Sequence, residues 1–559
     1  MSINVFEAEE ILSQLTEEDF KNPEIISRLD RLKEIKLELE RRRCEDDLIY
    51  FCVHVLGYKD LEHPVYEEIA EQMRRRGEEK SYNLILIPRD CMKSSLLTIG
   101  AVLQAVVKNP NVRILITNAV LEVAKRFLAE IKGHIEKNER FIELYGNIQG
   151  NTWSKDEITI KGRTVDKKEL TIETGSIAHT KTGKHYDWII ADDLVTRENI
   201  KTIESKQTTY KYFMDLQDLL DHPNGYMDVI GTRWDFIDLY SMIMDKERGH
   251  LQDFNVFWKK AYEGNIDDAD CHFNFPWKLN KAVLKRLKRQ KSTMEFSAQY
   301  LNYPVASEDM PFKPDMFQTY TELPQPYWTF IAVDPATTQE KKSDYSVIIA
   351  ISVTPDGKWF VRDIVRDKLL PGALSKKILT MAQALQPKYI AVETLGFQAY
   401  VKKDIKDKMA KANMMFTILD LKPKNRSKED RIKNLEPKFR EKEIFFPKSL
   451  MYTNTDGVEL DMTLVIEDEL LKTTWSSERP SGADKRDVVD TLAYFQDFVF
   501  KPRPGDIDEM LMKTAGLDGL SKFEWYDKEE RMKAIARDRY DRTHGIESID
   551  MSLFEEAIG

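Results

Sequence analysis

The sequence predicts an α/β protein of two domains, on three observations. From Leu84 to about Thr232, short apolar runs alternate with helical patterns, as in a parallel sheet covered on both faces. A second α/β pattern opens at "WTFIAVD" (328–334) and continues through "YSVIIAISV", "WFVRDIV", a helical stretch at 371–385 and "YIAVE". Three consecutive strands, then helix and strand, predict a sheet that begins as an antiparallel meander. Between the two patterns lies "PFKPDMFQTYTELPQPYW" (311–328), whose four prolines read as a linker. A chain of 559 residues is also too long for one hydrophobic core.

Composition narrows the class. Hydrophobic residues at 42% and charged residues at 32% suit a globular protein. The longest uncharged apolar stretch, residues 94–107 between Lys93 and Lys108, is shorter than the ~20 residues a bilayer requires. The beginning, "MSINVFEAEEILSQLTEEDF", is acidic and helical in pattern, unlike a signal peptide. Four cysteines (Cys44, Cys52, Cys91 and Cys271) show no paired metal spacing and read as reduced thiols of a cytosolic compartment. The net charge of -11 is uneven: from Pro504 onward 14 acids face 8 Lys/Arg, a net of -6. By contrast "KLNKAVLKRLKRQK" (278–291) holds seven Lys/Arg and no acid. A local basic stripe can meet phosphates whatever the global charge.

The expected order is a helical segment at 1–45, a first α/β domain at 46–310 and the linker at 311–328, then a second α/β domain at 329–501 and an acidic tail at 502–559. Within the first domain "NLILI" precedes the helix "SSLLTIGAVLQAVV", and "VRILITN" precedes "VLEVAKRFLAEIKGHIEK". "WIIAD" and "MDVIGT" supply further strands, and residues 235–310, helical and aromatic-rich, read as a lid. No internal repeat is visible.

The first constellation lies at "LILIPRDCMKSS" (84–95). In the phosphate loop G-x-x-x-x-G-K-[ST], backbone N–H groups cradle phosphates, the Lys meets β/γ oxygens and the hydroxyl holds Mg²⁺. Lys93, Ser94 and Ser95 provide that end after an apolar strand, and a helix start favours an anion by itself. Met92 and Ile87, however, stand where the glycines belong, so a basic helix start is the competing reading. "DWIIADD" (187–193) favours the phosphate loop: it ends in Asp192 and Asp193, as a Mg²⁺-holding acid and a water-orienting acid require. A third strand ends in Gly231-Thr232-Arg233.

The second constellation is acidic. Asp334 ends "FIAVD", Asp344 opens the next strand, Glu393 ends "YIAVE", and Asp487 and Asp490 stand at i,i+3 in "DVVDTLAYF". Singly each reads as a cap or a solvated residue. Jointly, acids at strand ends facing acids on a helix make a cage for hard divalent cations, and two such metals can clamp both oxygens of a phosphodiester displacement.

With both constellations in this order, the sequence resembles the large terminase subunit of tailed bacteriophages over roughly residues 45–500. "HP" (63–64), "PRDCMKSS", "GKHYDWIIADD", "GTRW", "FSAQYLNYP", "VDPA", "VET", "RIKNLEPKFREKEIFFP" and "DVVDTLAYF" follow the family's order. The resemblance implies an N-terminal P-loop NTPase domain of the ASCE type and a C-terminal ribonuclease-H-like nuclease. It implies a phosphate loop that lacks glycines but keeps an arginine, so that ATP would be bound by Arg89, Lys93, Ser94, Ser95, Asp192 and Thr232. Asp192 would hold Mg²⁺, and Asp193 would be the catalytic acid in the place usually filled by Glu. Asp334, Glu393 and Asp487 would be the nuclease acids, holding Mg²⁺ or Mn²⁺ with Asp344 and Asp490 as auxiliaries. His179, Lys181 and Lys184 would lie near the nucleotide, and Lys428 near the scissile phosphate. Double-stranded DNA, a portal protein and a small terminase subunit are the implied partners. A homo-oligomeric ring, a pentamer, would assemble transiently at the prohead portal vertex in the host cytoplasm and be absent from the mature virion.

Two other readings differ in class. A helicase-like repair ATPase–nuclease would share the phosphate loop and acidic strand, but no further helicase motif is evident. A scaffold with degenerate sites would not retain Lys93, Asp192, Asp334, Glu393 and Asp487. Lys281, Lys285, Lys288 and Arg289 fall on or near one helical face and read either as a solvated surface or as a DNA-contacting stripe.

Overall fold

The computed structural model describes residues 23–74, 82–179, 181–245, 251–306, 310–336, 345–393, 399–421, 428–474 and 486–502. Asp344, the tail from 503 onward and the side chain of Lys428 lie outside these. The chain divides into two compact units, Met1–Ser307 and Glu308–Gly559.

The first unit opens with helices α1 (Pro23–Asp46) and α2 (Pro64–Arg74). Strand β1 (Tyr82–Leu86) leads to α3, which is π-wound at Ser95–Gly100 and α-helical at Ala101–Lys108. Then come β2 (Ile114–Asn118), α4 (Leu121–Lys137), β3 (Gln149–Trp153), β4 (Glu157–Ile160), β5 (Ile172–Ser176) and β6 (Trp188–Asp192). Helix α5 (Ile203–Gln217), β7 (Tyr226–Gly231), α6 (Leu239–Met244) and β8 (Phe254–Trp258) follow. The eight strands lie in the order β3-β4-β5-β2-β6-β7-β1-β8, parallel from β5 to β8, with β3 and β4 antiparallel at one edge.

Parallel strands covered on both faces must be apolar throughout, and alternate residues then serve two cores. On β1, Ile85 joins one core, while Leu84 and Leu86 join the other. On β6, Trp188 and Ile190 face the first core and Ile189 and Ala191 the second. The same parity aims Asp192 toward the face of Ile190, where α3 packs. Along the sheet, Leu86 pairs with Gly231 and Ile230 with Asp192, so the ends of β1, β7 and β6 share one edge. One strand, β7, separates the lysine loop from the acidic strand.

The region expected to be a helical lid is only partly helical. Residues 254–258 form β8, which pairs with β1 as the sheet's edge strand. A short hairpin, β9 (Tyr262–Glu263) with β10 (His272–Phe273), precedes α7 (Lys281–Gln290) and α8 (Thr293–Leu301).

The second unit contains the whole of the expected linker. Residues 318–320 form β11, which pairs in parallel with β17 (Ile444–Pro447), because Tyr320 stacks edge-on to Phe360 and bonds the Val361 carbonyl. Proline spacing carries no sign of that distant partner. Strands β12 (Trp328–Asp334), β13 (Ser346–Val353) and β14 (Trp359–Asp367) form the expected antiparallel meander. Helix α9 (Pro371–Leu385), β15 (Tyr389–Glu393), α10 (Ala399–Lys411) and β16 (Ile418–Leu421) follow, then α11 (Lys428–Lys433), β17, α12 (Met462–Leu471) and α13 (Asp487–Phe498). The sheet order is β11-β17-β14-β13-β12-β15-β16. Ile331, Val333, Ile390 and Val392 face the core shared with α9 and α10. Ala391 faces Tyr494 of α13 instead. By parity Asp334 and Glu393 also lie on the α13 face.

Among the described residues, no helix is long and apolar enough to cross a membrane.

Candidate active sites

The lysine loop turns without glycine. Asp90 and Met92 adopt φ values of 64° and 56°, the left-handed region that glycine normally supplies. Met92 therefore carries the backbone strain at the position of the missing last glycine. Met92→Gly is accordingly expected to leave thermal stability equal or higher. Met92→Val, β-branched at positive φ, should lower it by roughly 1–2 kcal/mol. Melting curves of the two variants check this, and a Val variant as stable as the native chain contradicts it.

Beyond this turn Lys93, buried, donates to Thr232 Oγ1 at 2.7 Å and pairs with Asp193 at 3.0 Å. Thr232 is in turn anchored by donating to the Ile87 carbonyl. Gly231 leaves room for the Tyr240 hydroxyl, which a Cβ there would overlap. Asp192 is fully buried, and Thr98 donates to its Oδ2 at 2.6 Å. Its Oδ1 is buried with no hydrogen-bond partner, as suits a metal ligand. Burial first, then the neighbouring Asp193, pushes Asp192 up to about 6, against the opposing pull of Lys93, Thr98 and Ser94. Asp193 sits at φ 49° just after β6. Asp, with its short polar side chain, tolerates that conformation better than most residues.

The structure thus brings together Lys93, Ser94, Asp192, Asp193 and Thr232. Ser95 opens the π-wound turn of α3. Arg89 is exposed, with its guanidinium 5.8 Å from the Trp234 ring centroid. Its backbone N–H is held by the Gln299 carbonyl, while Asn302 accepts from the Arg233 N–H, so the end of α8 ties both loops. Thr98 and Asn302 were not legible as site residues. Thr98 lies four residues after Ser94 in an otherwise apolar run, which is the one signal the sequence offers.

The basic residues expected near the nucleotide have another task. Lys184 bonds Glu173 Oε2 at 2.5 Å and Lys181 lies 3.5 Å from the same oxygen. Glu173 has no exposed surface; burial alone would raise its pKa, but Lys184, the Leu170 N–H and Lys181 hold it below the usual range. A buried carboxylate requires such partners. Its strand, β5, lies four strand positions from β1, about 19 Å at the usual strand spacing. His179 closes a local turn against Ser176. Arg233 is likewise committed, to Asp238 at 2.9 Å.

In the second unit, Asp334 and Glu393 end neighbouring parallel strands whose last registered pair is Val333 and Val392. They therefore stand side by side, about 5 Å apart at the backbone, on one face. Both act on Tyr494: burial first, then the hydrogen bond and charge of Glu393 and the charge of Asp334, push its phenol far above its usual range. Asp487 opens α13 next to Glu469, a buried acid whose Oε2 accepts the N–H groups of Val488 and Val489 at 2.9 and 3.0 Å. Burial pushes Glu469 up to about 8, with Arg366 opposing and Asp487 reinforcing the shift. Asp490, expected as an auxiliary metal ligand, is in an ion pair with Arg431 at 3.0 Å. Asp367, on the same sheet edge, is taken up by Tyr452 and Thr455. Among the described residues, no group of three or more His, Cys, Asp or Glu is set to hold a metal ion. The adjacent carboxylates of Asp334 and Glu393 are the pair that could share one, and hard oxygen donors suit Mg²⁺ or Mn²⁺.

Residues 331–495 match the family model of the terminase RNaseH-like domain. The matched residues lie within the second unit. Distant likenesses to solved structures extend further. The large terminase of bacteriophage HK97 is 12% identical, with 78% of this chain and 94% of that one covered and a TM-score of 0.38. A large terminase from a thermophilic bacteriophage, in complex with ADP, is 11% identical over 81% of this chain and 98% of its own, with a TM-score of 0.28. The large terminase nuclease from thermophilic phage G20c, with bound magnesium, is 16% identical, covers 34% of this chain and 98% of its own, and gives a TM-score of 0.22. No curated protein matches the sequence. In this chain the matched region follows a unit with its own lysine loop and acidic strand.

Proposed function

We infer that this chain is a large terminase subunit: an ATP-driven motor for double-stranded viral DNA and a metal-dependent endonuclease that cuts concatemeric genomes. One observation carries the reading: Lys93, Asp192, Asp193 and Thr232 meet on one sheet edge, in the unit that precedes a terminase RNaseH-like domain. Lys93 and the start of α3 would take the β/γ phosphates, with Arg89, Ser94 and Ser95 around them. Asp192 Oδ1 would take Mg²⁺, and Asp193 would orient the attacking water once phosphate replaces it on Lys93. Thr232 would sense the change, since it shares Lys93 with Asp193. Asp334 and Glu393 would hold Mg²⁺ or Mn²⁺, with Asp487 completing the set and Asp344 and Asp490 as auxiliaries. The partners would be a portal protein, a small terminase subunit and further copies of this chain in a ring, a pentamer, at the prohead vertex.

ATP hydrolysis by the full chain should rise when portal-bearing procapsids and linear duplex DNA are added, and Mg²⁺ should convert plasmid to nicked and linear forms. Stimulation by single-stranded DNA with duplex unwinding, and none by procapsids, would instead indicate a helicase.

The basic stripe of α7 divides in two. Lys281 donates to the carbonyls of Asp267 and Asp268, and Lys285 pairs with Asp267 at 2.5 Å. Arg286, Lys288 and Arg289 are exposed. If the stripe meets DNA, replacing these three by Ala should flatten the salt dependence of binding by up to ~0.9 per lost phosphate contact. The Lys281→Ala, Lys285→Ala pair should change it less. Equal slopes in all chains would mark an ordinary surface.

A further inference from the structure

The stretch "FSAQYLNYP" (296–304) closes α8 and has no part in the mechanism above. Asn302 caps that helix at φ 51°, the left-handed region that usually takes glycine and that asparagine tolerates better than most residues. Its side chain is buried, 2% exposed, and both ends of the amide are used. Oδ1 accepts from the Arg233 N–H at 3.3 Å, and Nδ2 donates to the Lys259 carbonyl at 2.9 Å. One partner is a donor and the other an acceptor, so the amide fits in one orientation.

Both partners belong to segments that frame the lysine site. Arg233 follows Thr232, whose hydroxyl accepts from Lys93 and donates to the Ile87 carbonyl. Lys259 follows β8, and its N–H bonds the carbonyl of Leu86, the last residue of β1, at 3.0 Å. In the last turn of α8 the Gln299 carbonyl accepts the Arg89 N–H at 3.2 Å, and the Tyr300 carbonyl accepts the Ala261 N–H at 2.7 Å. The lysine loop and the Thr232 loop are therefore joined twice, directly at Ile87 and indirectly through the end of α8. A buried amide is held by its hydrogen bonds and in turn fixes the backbone it bonds. Glycine would suit the backbone at this φ at least as well, so what asparagine adds is the amide.

We propose that Asn302 is a positioning residue for ATP hydrolysis: its amide holds the Thr232 loop against the lysine loop, so that the Thr232 hydroxyl meets Lys93. The proposal rests on the ATPase reading of the first unit. It deepens that reading by anchoring the Thr232 loop on the helix that follows the basic stripe of α7.

The test is steady-state ATP hydrolysis by the full chain with Mg²⁺. Asn302→Gly keeps the left-handed backbone and removes both side-chain hydrogen bonds. Its kcat should fall by about tenfold or more, as small displacements of positioned groups cost, with a much smaller change in KM. Thr232→Val removes the hydroxyl that Asn302 places. In that background Asn302→Gly should cost less than it does in the native chain, since residues that act together are not additive. A role in packing alone would lower the melting temperature and reduce kcat by the same factor in both backgrounds, and that result overturns the proposal. Native kcat in folded Asn302→Gly overturns it as well; should that variant not fold, native kcat in Asn302→Asp, which loses the donor to Lys259, does so. A native chain whose ATP turnover does not depend on Lys93 removes the ATPase reading, and this proposal with it.

Discussion

Lys93→Ala is expected to lower ATP turnover by about 10²–10³-fold, as removal of one preorganised charge-stabilising donor typically does. DNA cleavage by the same chain should persist. The loss has two sources. Lys93 is the cation between Thr232 and Asp193, at 2.7 and 3.0 Å, so its removal takes the positive charge from the place of the phosphates. It also leaves Asp192 and Asp193 adjacent with that cation gone. Asp192 is already pushed up to about 6 by burial and by Asp193, and Lys93 is the first influence that opposes the rise. Without it the carboxyl should protonate nearer neutral pH and ligate Mg²⁺ poorly, so residual turnover should recover partly as pH is raised. The sign for stability follows from the same shift. The folded-state pKa, about 6, exceeds the ordinary 3.8, so Asp192 favours the fold fully below about 3.8 and that contribution is lost as pH rises through about 6. Asp192→Asn should therefore melt higher than the native chain at pH 7 without nucleotide, by on the order of 1–3 kcal/mol, while hydrolysing no ATP. Turnover of Lys93→Ala at the native rate would dismiss the phosphate-loop reading outright.

Asp334→Ala should reduce Mg²⁺-dependent DNA cleavage by about 10³-fold or more, since a lost metal forfeits several kcal/mol of charge stabilisation. ATP turnover and folding should be retained. Asp334 ends β12 half-buried and is not part of an apolar core, so truncation opens no large cavity. Asp487→Ala should also eliminate cleavage; it removes an acid from the first turn of α13 but relieves its repulsion of the buried Glu469, so stability should change little. Gel assays of plasmid nicking alongside ATP hydrolysis separate these outcomes. Cleavage by Asp334→Ala at the native rate would assign the activity elsewhere.

The sequence by itself determined what depends on local periodicity. Apolar runs of strand length alternating with helical patterns specify two covered sheets, and a polar residue ending such a run must lie at a sheet edge. That is why Lys93, Asp192, Thr232, Asp334 and Glu393 could be placed before any coordinates. Strand parity alone puts Asp334 and Glu393 on one face once β12 and β15 are neighbours. Only the tertiary structure decided how those residues pair, because a buried charge or hydroxyl takes its partner from whichever element packs nearby. Lys181 and Lys184 serve Glu173, Thr98 reaches Asp192 from the helix, and Arg431 meets Asp490, 59 positions later in the chain. The same holds for backbone at its limits. Met92 takes a left-handed turn that its own preference opposes, and residues 318–320 become a strand because β17 offers them a free edge. Local preference is worth at most a kcal/mol or so per residue, about what one good tertiary contact supplies, so where the two compete the contact can prevail.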